Sequence, residues 1–378
     1  MGWRCVLGLV LAACATPAAK RVQAPSDPGL GEDQGGHLAH LYSELQDDIL
    51  TSYDRDEPPD LDTAMIERKV GTARIGAGPN DVYIADDLAH APSRWPLPLD
   101  RQTRSEVRSK QLAIQIAADQ QAAWMSDELS WRIELCGRTT VVPLRITGLY
   151  AHDGDRWVPV FEHLSFGTTA ALPSDAPPAK AIKAAVVSRD LSDELSGLVG
   201  RGLFPGQRTR DASALAQDDN AIVLGPGASD EWRASHVLEA KLPAGRDEDH
   251  RIGTVGRDPA AASVAYWIGT YLTDPGKLRL RVSYVFEKRC APAAKADKPR
   301  SRECSWQVVQ AHMSQPITDE ELAHQVFGTA LSSVKPLALD CADGGRAASR
   351  ATPGPAAPTL RRAPAAAAPA SPPATRSR

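Results

Sequence analysis

One stretch of sequence occurs twice in this chain of 378 residues. The first copy reads Leu144-Arg-Ile followed by Trp157-Val-Pro-Val-Phe-Glu-His163-Leu-Ser165. The second reads Leu280-Arg-Val followed by Trp306-Gln-Val-Val-Gln-Ala-His312-Met-Ser314. A shared tripeptide followed by Trp-x5-His-x-Ser, repeated after roughly 150 residues, indicates two copies of one fold.

The match continues upstream of the two tripeptides. Ala123-Trp124-Met125-Ser126 aligns with Tyr266-Trp267-Ile268-Gly269, and Asp119 and Asp258 precede these tryptophans at similar distances. Each copy then has an apolar strand, an Asp-containing turn, a Trp strand, a Leu-Arg strand and a Trp-His-Ser strand. This order predicts a meander of antiparallel strands.

Helical spacing precedes the strands in both copies. Apolar residues recur at this spacing from Leu38 to Tyr53 and, more loosely, from Ile182 to Leu198, so each domain is expected to be α+β, with helices before the sheet. A capping box at Thr318-Asp-Glu-Glu321 predicts a further C-terminal helix. The predicted organisation is a signal peptide at 1–13, a flexible stalk at 14–37, domain 1 at 38–170, a linker at 171–180, domain 2 at 181–335 and a disordered Ala/Pro-rich tail at 336–378.

The N-terminus has the form of a secretion signal, with Arg4 ahead of a short apolar run that ends on small residues. Leu11-Ala12-Ala13-Cys14 resembles the bacterial lipobox, which implies cleavage before Cys14 and acylation of this cysteine, for example by palmitate. The alternative is an ordinary secretory signal with a chance cysteine. We therefore expect a lipid-anchored protein of the bacterial cell envelope, facing the periplasm or the cell surface, with the outer membrane preferred.

Charge excludes one class of partner. The formal net charge is −4 and no Lys/Arg-rich run occurs, so the basic surface that nucleic-acid binding requires is missing.

The order of helix first and curled meander last, closing on Trp-x5-His-x-Ser, resembles the SnoaL-like branch of the nuclear transport factor 2 family, also called ketosteroid-isomerase-like. The resemblance covers roughly residues 38 to 167 and 180 to 317. It implies two tandem cone-shaped domains, each with N-terminal helices packed on a strongly curved antiparallel sheet, paired as an intramolecular pseudo-dimer. Known members include isomerases, cyclases and dehydratases as well as binding modules, so the fold does not select a function.

Catalytic members of this family place a carboxylate base inside the cone. Asp119 and Asp258 are the carboxylates that both copies share, but each is predicted in a turn, where Asp usually bonds its own backbone. His163 and His312 have two interpretations: a pocket ligand or general base, or a core histidine whose ring nitrogen is satisfied by the backbone or by the nearby Ser165 or Ser314.

The period of two places Trp157, His163 and Ser165 on one face of a strand, and Trp306, His312 and Ser314 on one face of another. Trp124, Trp157, Trp267 and Trp306 suit either a hydrophobic core or an aromatic-lined pocket. Since the histidines are scattered, no metal site is expected, and no motif indicates a cofactor.

The cysteines are expected in an oxidising compartment. Cys290 and Cys304 bracket an insertion that the first copy lacks, so we predict a disulfide that closes this loop. Cys136 and Cys341 either pair or stay as buried small side chains, and the sequence leaves both alternatives open.

The function expected from these features is an exported, lipid-anchored binding or interaction module without catalysis. Its partners would be the membrane through the N-terminal lipid, a small apolar ligand or another envelope protein. The alternative is an isomerase, cyclase or hydrolase-type enzyme that acts on a small apolar molecule in one cone. An envelope scaffold that uses its Ala/Pro-rich tail is a third class.

Overall fold

The structure is a computed structural model, and it describes a little over half of the chain. The described residues are 32–53, 72–78, 81–84, 104–135, 138–166, 187–203, 211–227, 229–256, 261–274, 278–290 and 304–318. All of them belong to one compact unit. This part is mostly sheet with few helices, and its strands form two sheets.

Sheet 1 follows helix α1 (Glu32–Thr51) and contains the first copy of the repeat. Its strands are β1 (Ala73–Ile75), β2 (Val82–Ile84), β3 (Arg104–Ser109), β4 (Ala113–Ile116), β5 (Ala122–Leu135), β6 (Arg138–His152) and β7 (Trp157–Phe166). They lie in the order β2-β1-β7-β6-β5-β3, and β4 also pairs with β5. The β5-β6-β7 pairs are antiparallel as predicted, whereas β1 joins β7 in parallel.

Sheet 2 contains the second copy and follows helix α2 (Arg189–Gly202), which begins after an N-cap at Ser188. Its strands are β8 (Ile222–Leu224), β9 (Glu231–Arg233), β10 (Gly245–Val255), β11 (Val264–Thr273), β12 (Arg279–Cys290) and β13 (Cys304–Ser314), with 3₁₀ turns at Ala212–Ala214 and Ala234–Glu239. The order read from β9 is β9-β8-β13-β12-β11-β10, again with one parallel pair, β8 with β13. The two sheets therefore share one strand order.

Each sheet has a contact face, which bonds to the other sheet, and a far face, which is turned away from it. Helix α1 covers the far face of sheet 1. Its apolar residues Leu41, Leu45 and Ile49 are buried, and the Trp157 indole donates to the Leu41 carbonyl at 3.1 Å. The helix begins at Glu32, so the predicted stalk, which ended at residue 37, extends too far.

A β-bulge corrects the predicted orientation of the Trp-x5-His motif. In β7, Leu149 pairs with Phe161 and Tyr150 pairs with Pro159, so Val160 is an extra residue. An extra residue reverses the alternation of side chains, which places Trp157 on the far face and His163 on the contact face. The second copy has its register shift at the equivalent place in β13. The expectation that each Trp shares a face with its His was therefore wrong.

The register also corrects the alignment of two tryptophans. Trp124 pairs with Leu149, four residues after Arg145, whereas Trp267 pairs with Tyr284, three residues after Arg281. Trp267 is thus equivalent to Met125, and the alignment with Trp124 was wrong by one residue. Because side chains alternate along a strand, this offset puts Trp124 on a contact face and Trp267 on a far face.

The predicted disulfide is present between Cys290 and Cys304, whose Cα atoms are 3.9 Å apart at the loop end of the β12-β13 hairpin. Several predictions fall outside the described residues: the signal peptide and Cys14, the linker, Asp258, Cys136, Cys341, the helix expected after Thr318 and the tail.

Candidate functional site

The two repeated histidines meet in the centre of the contact between the sheets. Strand β7 positions His163 and strand β13 positions His312, and their rings stack with centroids 3.8 Å apart. Both residues are 0 % exposed. The sequence placed these histidines in separate domains and gave no sign that they contact each other.

Each histidine is held by two hydroxyl groups of the opposite sheet. His163 Nδ1 lies 2.9 Å from Ser283 Oγ, and His163 Nε2 lies 2.7 Å from Ser314 Oγ. His312 repeats the arrangement, with Nδ1 3.0 Å from Thr147 Oγ1 and Nε2 2.8 Å from Ser165 Oγ. A hydroxyl can both donate and accept, so it satisfies either nitrogen of a neutral imidazole. The histidines are satisfied by hydroxyls, as one interpretation expected, but the hydroxyls belong to the other sheet.

The electrostatic surroundings keep both rings neutral. Burial, together with the positive charges of Arg281 and Arg145, holds the pKa of His163 well below its usual range. Burial also lowers the pKa of His312, and the His163 ring and Arg145 act in the same direction. A charged imidazole is disfavoured here because the rings are fully buried and the charges that act on them are positive.

Two buried arginines make a second reciprocal contact between the sheets. Arg281 of sheet 2 donates to the carbonyl of Gly76 at 2.6 Å and to that of Gly78, both at the β1-β2 turn. Arg145 of sheet 1 donates to the carbonyl of Gly225 at 2.8 Å, at the β8-β9 turn. These arginines are the central residues of the repeated Leu-Arg tripeptides. Burial lowers the pKa of Arg281 to about 10, and Asp81 and Tyr83 oppose that shift.

The glycine-rich segments Gly76-Ala-Gly78 and Gly225-Pro-Gly227 form the turns that receive the arginines. In the first, the Gly78 N–H donates to the Asp81 carboxylate at 2.7 Å, and in the second the Gly227 N–H donates to Asp230 at 2.8 Å. A Cβ added at Gly227 would lie 2.7 Å from the Asp230 carboxylate, so this close approach requires glycine. Their role in joining the sheets was not predicted.

The contact is not fully symmetric. Phe161 packs against Tyr266 with ring centroids 5.9 Å apart, whereas Gln310, the equivalent of Phe161, donates to the Met125 carbonyl at 2.8 Å. Glu128 hydrogen-bonds to Glu231, and burial together with this contact raises the pKa of Glu128. The sequence alignment does not distinguish these residues from ordinary strand positions.

The candidate carboxylate Asp119 is a turn residue that also links the sheets. Its carboxylate accepts the Gln121 N–H at 3.0 Å, next to Gln120 with φ 59°, and it accepts the Ser263 hydroxyl of the other half. This bonding is structural, as expected for a turn aspartate. The other candidate carboxylate, Asp258, lies outside the described residues.

A different carboxylate, Asp127, lies buried on the far face of sheet 1. It accepts the Tyr53 hydroxyl at 3.1 Å and the Gln111 N–H at 3.0 Å, which ties the end of helix α1 to the sheet. Burial raises its pKa to about 6, against the lowering effect of these hydrogen bonds. The far face around it is filled by Trp131, Trp157 and apolar residues of α1.

The far face of sheet 2 carries polar aromatic residues instead. Trp267 lies against Tyr284 with ring centroids 4.8 Å apart, and both are almost fully buried. Among the described residues, the Trp267 indole N–H and the Tyr284 hydroxyl have no hydrogen-bond partner. Tyr271 is buried on this face opposite Asp247, which is exposed and whose pKa is raised by the surrounding protein.

The surface of the described residues has a polar cleft. This cleft of about 310 Å³ is lined by Ser105, Glu106, Arg132 and Glu134, at the far end of β5 from the histidines. Across the described ranges, no three His, Cys, Asp or Glu side chains converge as a metal site would require. No helix in this part of the chain is long and apolar enough to cross a bilayer.

Comparison with known proteins adds little. No protein-family model matches the chain, and no curated protein matches it. Solved structures that are similar over part of it include a protein from Catenulispora acidiphila (12% identity, 35% of this chain and 94% of that one, TM-score 0.26) and a protein with a cystatin-like fold from Caulobacter vibrioides (13%, 35% and 90%, 0.25). An Ntf2-like protein involved in plasmid conjugation is also similar (11%, 57% and 79%, 0.19). At these TM-scores the similarities support no conclusion about activity.

Proposed function

We propose that this chain is a lipid-anchored binding or interaction module of a bacterial envelope, built from two SnoaL-like domains and without catalysis. The observation that carries the proposal is the state of the repeated histidines, which are 0 % exposed and whose four ring nitrogens all contact hydroxyls. A general base has to reach the proton that it abstracts. These enclosed rings instead serve to join the two halves.

The repeated topology supports two tandem domains that pair face to face as an intramolecular pseudo-dimer. Both sheets have the same strand order, and each histidine and arginine contact in one direction has a counterpart in the other. Because this pairing occupies both contact faces, a ligand or partner protein has to bind at a far face, an edge or a loop.

Thermal unfolding tests the role assigned to the histidines. Replacing His163 or His312 by Ala should lower stability by roughly 1 to 3 kcal/mol each, through lost packing and orphaned hydroxyls. Exposed His236, replaced by Ala, is the control and should leave the melting temperature unchanged. An unchanged melt for either buried histidine would contradict a joining role in that copy.

The lipid anchor is proposed from Leu11-Ala12-Ala13-Cys14, outside the described residues. Mass spectrometry of the mature N-terminus should find a lipid on Cys14, and Cys14→Ser should release the protein from the membrane fraction. A mature N-terminus elsewhere, without lipid, would rule out the anchor and leave the rest of the proposal standing.

The second candidate function is an enzyme that acts on a small apolar molecule, and the far face of sheet 2 favours it. The Trp267 N–H and Tyr284 O–H are two buried donors without an acceptor among the described residues, and buried polar groups normally have one. A carbonyl oxygen of a bound molecule would supply the acceptor, with Asp247 as the nearby carboxylate.

Binding of acetophenone, a small apolar ketone, separates the two candidates. The enzyme candidate requires saturable binding that Tyr284→Phe abolishes and that Tyr53→Phe, a matched change on the far face of sheet 1, leaves intact. The module is favoured if acetophenone shows no saturable binding, or if its binding is unchanged in the Tyr284→Phe variant.

A further inference from the structure

The contact between the sheets has a pair of neutral, stacked imidazoles at its centre. The ring centroids of His163 and His312 are 3.8 Å apart and the ring planes differ by 19°. Neither side chain reaches solvent. Two cations cannot occupy this geometry without strong repulsion, so the contact depends on at least one ring staying neutral.

The hydrogen bonds of the pair depend on the same condition. A neutral imidazole donates through one nitrogen and accepts through the other, and the four hydroxyl partners adapt to either role. Protonation makes both nitrogens of a ring donors. Ser283, Ser314, Thr147 and Ser165 would then have to turn into acceptors around a buried charge.

Among the described residues, no carboxylate acts on the two rings to neutralise that charge. The charged groups that act on the rings are Arg145 of β6 and Arg281 of β12, which are both cationic. Strand β7 contributes Glu162, but this side chain alternates to the far face, where it lies 3.7 Å from Arg74. The acidic groups near the two β-turns act on the arginines instead: Asp81 on Arg281, and Asp230, Glu231 and Glu128 on Arg145.

We propose that this contact is an acid-labile joint: in mildly acidic solution the two sheets separate at the histidine pair, while each sheet keeps its own strands. The strands within each sheet are joined by backbone hydrogen bonds, which do not titrate. The far-face core of sheet 1, with Trp131, Trp157 and helix α1, contains neither of the stacked histidines and neither of the buried arginines.

The direction of the pH dependence follows from the lowered histidine pKa values. The pKa of both histidines is lower in the folded protein than in the unfolded chain, where it is near 6.5. Their contribution to stability is therefore complete when the pH is above 6.5, and it is lost as the pH falls below that value. Glu128 acts in the opposite direction, because its pKa is raised and its contact with Glu231 persists in acid. The histidines outweigh it, since they are fully buried and Glu128 is half-buried.

Small-angle scattering and far-ultraviolet circular dichroism of the full chain test the joint between about pH 7.5 and about pH 5. The chain carries Cys14→Ser so that no lipid is attached. The radius of gyration should rise by roughly 10 % or more in acid, while the strand signal is retained. The variant His163→Asn with His312→Asn should keep its radius, and the exposed control His236→Asn should expand like the wild type.

A wild type that stays compact at about pH 5 overturns the proposal, as does expansion accompanied by loss of the strand signal, which is ordinary acid unfolding. Equal expansion of the double variant overturns it as well. If the double variant does not fold at neutral pH, nuclear magnetic resonance of labelled imidazoles in the wild type replaces it. The two buried rings should become protonated at the pH of expansion, and expansion without their protonation rejects the joint.

Discussion

The polar residues at the centre of the contact are equivalent in the two sheets, whereas several positions of the far faces differ. On the contact faces His163 corresponds to His312 and Arg145 to Arg281, with hydroxyl residues at matching positions. On the far faces Met125, Leu129 and Gly148 of sheet 1 correspond to Trp267, Tyr271 and Tyr284 of sheet 2. A surface that packs against a copy of itself tolerates few changes, because each substitution must fit both partners. The far faces pack against different helices and are free of that constraint.

The largest effect is expected from the buried arginines. Replacing Arg281 by Met should cost about 3 to 5 kcal/mol, because two turn carbonyls lose a charged donor in a dry environment. Arg145→Met should cost less, since only one of its two bonds is short, at 2.8 Å against 3.4 Å. Urea unfolding at neutral pH measures both. Equal losses of unfolding free energy in the two variants would mean that the two arginines contribute equally, although their hydrogen bonds differ in length.

The disulfide tests a difference between the two hairpins. In sheet 1 the β6-β7 connection is a short turn in which the Asp153 N–H donates to the Arg156 carbonyl at 2.9 Å, whereas Cys290 and Cys304 are 14 positions apart in the sequence. Replacing both cysteines by Ser should lower the free energy of unfolding by about 3 kcal/mol, the entropy of closing a loop of this length. A change below about 1 kcal/mol would show that the β12-β13 pairing alone orders the hairpin.

Asp127→Asn addresses the far face of sheet 1. The folded-state pKa of Asp127 is about 6, above the ordinary value of 3.8, because burial disfavours the charged carboxylate. The protein therefore loses stability as the pH rises through this window and the carboxylate ionises. The variant should be more stable than wild type by roughly 1 to 3 kcal/mol near pH 7, and the gain should shrink towards zero below about pH 4. Chemical unfolding across this range decides it. A destabilised variant at pH 7 would mean that Tyr53 and Gln111 require the carboxylate charge.

A matched pair of Tyr→Phe changes gives the smallest effects and the sharpest contrast between the far faces. Tyr53→Phe removes a hydrogen bond to Asp127 and should cost about 1 to 2 kcal/mol. Tyr284→Phe removes a buried hydroxyl without a partner among the described residues, so it should be neutral or stabilising by up to about 1 kcal/mol. Thermal melts compare the two. A loss at Tyr284 as large as that at Tyr53 would mean that its hydroxyl is bonded, which would remove the main support for the enzyme candidate.

Local patterns predicted part of the fold and little of the site. The repeat predicted two sheets of like order, helical spacing predicted α1, and the insertion between Cys290 and Cys304 predicted the disulfide. The predicted face of Trp157 was wrong because a bulge at Val160 changes which residues share a side of the strand. Pro159 is the sequence marker of this bulge, because proline inside a central strand occurs mainly at bulges. The pairing of Trp124 with Trp267 was wrong because matching tryptophans outweighed the register set by the Leu-Arg strands.

The sequence by itself predicted two copies of one unit, since the Trp-x5-His-x-Ser motif occurs twice with the same internal spacing. It also determined that His163 and His312 occupy equivalent places. Only the tertiary structure decided that each histidine finds its hydroxyl partners in the other copy, and that Arg281 caps the turn at Gly76 while Arg145 caps the turn at Gly225. Spacing along a chain fixes which side chains share a strand, but contacts between residues more than a hundred positions apart depend on how two finished sheets pack.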